Sequence, residues 1–153
     1  MRGKKMKDPY YFYNENDIMA ILIRDNYSSE GIEFFTDTKY SQQLAFMHHG
    51  SGHIIAPHIH NHIERQIFNT QEVLVIRKGR LRIDFYNDDK DYLKSAILRE
   101  GDIIMLVSGG HGFEMLEETE MFEIKQGPYL GDLDKDRFEN KDINICYEEG
   151  FER

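Results

Sequence analysis

The chain has 153 residues, 40% of them hydrophobic, and a formal charge of -9. That length fits one domain with a real core, and the acidity argues against nucleic acid or an anionic membrane surface as partner, since both need a basic footprint. The single cysteine, Cys146, excludes an internal disulfide.

Taken in chain order, the pattern is one of short strands. The start, residues 1–17, is basic and then aromatic, without the apolar stretch of a signal peptide. The longest apolar run covers five residues, 103–107, too short to span a bilayer, so a cytoplasmic protein is expected. Alternating or apolar segments predict strands over 17–23, 31–35, 42–48, 53–60, 71–77, 80–86, 93–98, 102–107, 112–116 and 121–126. Glycine and Asn/Asp clusters between them, such as Lys78-Gly79-Arg80 and Ser108-Gly109-Gly110, read as turns. A short helix is expected over 130–138, and mobile ends over 1–7 and 148–153. The apolar, aromatic stretch 10–23 is a candidate dimer interface. Many short strands with frequent turns indicate an all-β sandwich or barrel.

The chemistry begins at "PHIHNH", where His58, His60 and His62 stand at alternate positions. Side chains alternate across a strand, so these imidazoles share a face with Ile54 and Ala56, and two of them can approach one metal ion. Solvent exposure without any ligand is the plainer reading of the same pattern. Glu72 shares parity with Leu74 and Ile76, and a carboxylate on an apolar face is costly unless paired or metal-bound. His111 lies between Gly110 and Gly112, which let the backbone approach closely. In "MFEIKQGPYL", Glu123 and Lys125 share parity with Met121 and give one polar face, either lining the interior or facing water. Glu114 follows His111 by three residues. Arg65 is suited to a carboxylate or phosphate, or to pairing with Glu64 on the surface. The cluster His48, His49 and His53 reads as structural or exposed.

These residues resemble the cupin family. Gly52, five residues, His58-x-His60, then Glu72, six residues and Gly79 follow the first cupin motif, with a longer stretch between His60 and Glu72. Gly101, Gly109 and His111 follow part of the second, which here has Val107 for proline, its histidine one residue early and no final Asn. The resemblance implies a double-stranded β-helix, or jelly-roll barrel, with its core over about residues 31–129, in a single domain of residues 1–153 with a short C-terminal extension. It implies His58, His60, Glu72 and His111 as ligands of a divalent Fe, Mn, Ni, Co or Zn ion. Around that ion, Glu114, Lys125 and His62 are the candidate acid–base groups, and Arg65, Glu123 and Tyr129 the candidate substrate contacts. The implied activity is that of a metal-dependent isomerase or epimerase acting on a small sugar-like or nucleotide-sugar substrate in polysaccharide biosynthesis. An Fe(II) dioxygenase and a non-catalytic ligand-binding cupin are the alternatives. A homodimer is expected.

Overall fold

A computed structural model describes residues 8–139 and 143–153. The expected mobile segment 1–7 lies outside them. Strands and one 3-10 turn are the only regular elements among the described residues, and none is a helix long and apolar enough to cross a membrane.

Ten strands form three antiparallel groups. A five-stranded sheet has the order β1 (Tyr10–Asn14), β2 (Asp17–Ile23), β8 (Ile103–Leu106), β5 (Glu72–Lys78), β10 (Glu120–Lys125). A three-stranded sheet has the order β7 (Tyr92–Arg99), β6 (Arg80–Tyr86), β9 (Gly110–Met115). The pair β3 (Gly31–Phe34) and β4 (Ala45–His48) stands apart.

The alternation of apolar side chains explains the layering. One core fills the space between the two larger sheets, with Leu22, Leu74, Ile76 and Ile104 facing Leu81, Ile83, Phe85 and Leu98. The other face of the five-stranded sheet carries Ile21, Val73 and Met105, covered by Phe35, Leu44 and Phe46. The five-stranded sheet is thus apolar on both faces, which is why β2, β5 and β8 read as nearly continuous hydrophobic runs.

Nine strands fall where the sequence places them, within a few residues. The differences have physical causes. No strand forms over 53–60, because no neighbouring strand pairs with that segment. The helix expected over 130–138 is reduced to the turn Gly131–Leu133; its polar side chains pair with other parts of the chain, Asp134 with Thr70 and Asp136 with Lys90. The stretch 10–23, a candidate interface by its sequence, turns its apolar residues inward: Phe12 and Leu22 are buried in this chain's own core. The sheets do not close into a barrel, since β9 and β10 each pair on one edge only.

The C-terminal residues are fastened rather than mobile. Phe151 is fully buried, its ring 4.5 Å from that of Tyr10 and 4.7 Å from the Arg24 guanidinium. Arg24 is itself paired with the buried Asp102. Ile97 N–H donates to the Phe151 carbonyl, and Glu148 accepts from Tyr10 and Lys94, each at 2.6 Å. Burial alone would raise the Glu148 carboxyl, but the hydrogen bonds from Lys94 and Tyr10 and the charge of Lys94 outweigh it and hold it below the usual carboxylate range. A lowered carboxyl stabilises the fold above its unfolded-state value, and that contribution is lost as pH falls through the lowered value. Phe151→Ala is therefore expected to cost about 3–5 kcal/mol in urea denaturation. Glu148→Gln is expected to be less stable than the native chain near neutrality, with the difference closing in acid; a pH-independent difference would contradict the assigned cause.

Candidate active site

The site grows from three strand ends and one turn. Glu72 opens β5, lies on the same face as Leu74 and Ile76, and is 6% exposed. An isolated carboxylate in that place would be strongly disfavoured. Three cationic or hydrogen-bonding groups reach it. His111 Nε2 lies 3.2 Å from Glu72 Oε2, while Lys125 Nζ and Lys135 Nζ lie 3.6 and 3.5 Å from Oε1. The hydrogen bond from His111, opposed by burial and supported by the charges of His111, Lys135 and Lys125, holds the Glu72 carboxyl at about 2. Ionised, it only accepts, so His111 Nε2 is the donor of this hydrogen bond.

Register explains why these groups meet. Lys125 is the direct cross-strand partner of Glu72 in the β5–β10 pair, and directly opposed residues share a face. Glu123 opposes Leu74 in the same way, and its carboxylate binds Lys125 at 2.6 Å. Met121 packs on the core, so this polar face of β10 turns inward. His111 opposes Phe85 on β6, which aims its ring at the space between the sheets. The turn before it depends on Gly109, at φ 73°, where a Cβ would lie 2.7 Å from Met19 Cε and 2.8 Å from the Tyr86 carbonyl oxygen.

A cup of about 1250 Å³ opens beside this cluster. It is lined by Glu72, His111, Arg82, Asp84 and the segment from Leu130 to Phe138. Gly112 opposes Asp84 and Glu114 opposes Arg82, so these residues occupy the face of the three-stranded sheet opposite to His111. There Arg82 binds Asp84 at 2.7 Å and Glu114 at 2.6 Å. Asp84, 3% exposed, also accepts from Ser95.

The residues expected from sequence therefore divide. Glu72, His111, Lys125 and Glu123 come together. Glu114 does not join them, because it points to the other face of β9. Tyr129 is exposed at the rim, its ring 5.5 Å from Lys125 Nζ. His58, His60, His62 and Arg65 lie in an exposed segment without regular structure. His58 Nδ1 meets the Ala56 carbonyl, and Arg65 donates to Ile63 O, not to Glu64. Among the described residues no group of three or more His, Cys, Asp or Glu side chains is placed to hold a metal ion. Within one chain the four expected ligands are thus not assembled, because residues 53–60 have no strand to pair with.

Sequence reasoning does not reach Lys135, Arg82 or Asp84. The alternation Arg82-x-Asp84-x-Tyr86 on an otherwise apolar strand is the available signal for the last two. Lys135, one cation among many in a polar segment, carries none. Comparison of the chain with family models, with curated proteins and with solved structures found no match.

Gly109→Ala is expected to lower stability by about 1–3 kcal/mol, as for a side chain forced into a left-handed conformation. Gly50→Ala, at a position with open space around it, should change stability little. Equal unfolding midpoints for the two variants in urea would contradict the constraint at Gly109.

Proposed function

We propose that the cup is the active site of an isomerase or epimerase of cupin type, acting on a small polar carbonyl compound such as a sugar or nucleotide sugar. The observation that carries the reading is the contact between His111 and an ionised, buried Glu72, with two lysines beside it. A carboxylate held at about 2 is too weak a base for neutral pH. Glu72 therefore orients the ring and fixes its tautomer, and His111 moves the proton. Nδ1 takes the proton from the carbon next to the substrate carbonyl; the C–H electron pair becomes the new carbon–carbon double bond, and the carbonyl π pair moves to the oxygen as an enediolate forms. The ammonium groups of Lys125 and Lys135 favour the developing negative charge. Return of the proton to the other face, or to the neighbouring carbon, gives the epimer or the isomer. The two facing antiparallel sheets and the polar inward face of β10 support the cupin jelly-roll reading.

The test is solvent exchange. Ketose phosphates and keto nucleotide sugars are incubated with the protein in D2O and followed by NMR. Deuterium should enter at the carbon next to the carbonyl, and His111→Asn should slow entry by about 100-fold or more. Glu72→Gln should also slow it, through loss of the oriented tautomer. Binding of these probes without exchange would overturn the isomerase reading in favour of a ligand-binding module.

A further inference from the structure

The cup has an unusual outline. It touches Gly110, His111, Gly112, Phe113 and Glu114, five consecutive residues of β9. Successive side chains of a strand point to opposite faces, so a cavity that meets five in a row runs along the strand's edge. That edge is open: β9 pairs with β6 and with no other strand among the described residues. The cup is therefore a groove beside an unpaired edge, with the Glu72–His111 pair on one side and Arg82–Glu114 on the other.

The same chain carries a segment with the opposite need. Among the described residues, the hydrogen bonds and ring contacts of residues 52–65 stay within residues 49–65. Its isoleucines are bare: Ile54 is 83% exposed, Ile59 93% and Ile63 61%. Between residues 49 and 71 the only charged side chains before Glu72 are Glu64 and Arg65, a net charge of zero in a chain of -9. Contiguous exposed apolar surface of this kind marks a segment that packs on something, and its neutrality removes the repulsion that two acidic chains otherwise feel.

We propose that residues 52–65 of one chain add as a strand to the free edge of β9 in a second copy, so that each cup is built by two chains. Strand addition supplies the main-chain partners that β9 lacks. Six residues span about 20 Å, so the fourteen residues of the arm cover β9 with length to spare. Alternation then gives the arm two faces. Ile54, Ala56, His58 and His60 turn toward the space between the sheets, the imidazoles beside Glu72 and His111; Ile55 and Ile59 cover the outside. Arm and groove are present on every chain, so reciprocal exchange satisfies both at once and closes as a two-fold dimer. Completion in trans also accounts for the incomplete ligand set of the single chain. The exchange does not depend on the reaction proposed for His111.

Two measurements test it. In sedimentation equilibrium the native protein should have twice the 18.2 kDa chain mass, and the triple variant Ile54→Asn/Ile59→Asn/Ile63→Asn should be a folded monomer by circular dichroism. A monomeric native protein, or a dimeric variant, overturns the exchange. The second measurement co-expresses two differently tagged chains, His58→Ala/His60→Ala and Glu72→Ala/His111→Ala, and titrates the doubly purified pair with Co(II). Exchange makes one of the two sites in the mixed dimer whole, so the pair should bind half as much cobalt as the native dimer, while each variant alone binds none. Native binding without recovery in the pair overturns the exchange and leaves the metal site within one chain. No cobalt bound by the native protein, with the arm-dependent dimer intact, sinks the metal expectation alone and supports the exchange.

Discussion

The free edge of β9 is the constraint from which the rest of the site follows. β6 bonds it on one side, and the C-terminal segment covers the other end of the same sheet at β7. What remains is a strand whose second edge has no strand partner among the described residues, with a groove beside it. Water can satisfy the main-chain groups of that edge while the groove is empty. It cannot favour the apolar lining from Phe113 and Leu130, and a strand that pairs the edge would bury both together. The long, net-neutral, isoleucine-rich arm has the composition such a groove accepts.

Glu72 ties the groove to chemistry. Its position at the start of β5 is set by the register that sends Leu74 and Ile76 into the core. Once the carboxylate is there, the cost of its burial selects its neighbours: Lys125 from the adjacent strand, His111 from the facing sheet and Lys135 from the segment after β10. Those neighbours come from distant parts of the chain and are held by separate sheets, so their geometry is a product of the whole packing. The ion pairs also divide the labour. The lowered carboxyl stays charged and accepts from His111, while the two lysines face its other oxygen.

Much of this is legible in the amino-acid sequence. Turn glycines and apolar alternation locate nine strands, and parity places Glu72 on the core face and pairs Glu123 with Lys125 on one side of β10. Other features leave little trace there. The strand Tyr10–Asn14 is rich in tyrosine and has polar neighbours, so its role emerges only from pairing with β2. Phe151 is one aromatic ring in an acidic terminus, and its burial depends on a gap between Tyr10, Phe12 and Arg24 that local sequence does not encode. The histidine segment is the instructive case. Alternation says which of its side chains share a face; it does not say which edge receives the strand, or whether that edge belongs to the same chain.

The most direct measurement is amide hydrogen exchange of residues 52–65 and 110–115 at high and low protein concentration. Two chains that complete each other's cups predict slow exchange in both segments when concentrated, and a joint loss of protection on dilution. Fast exchange of residues 52–65 at every concentration, or protection that dilution leaves unchanged, would contradict it.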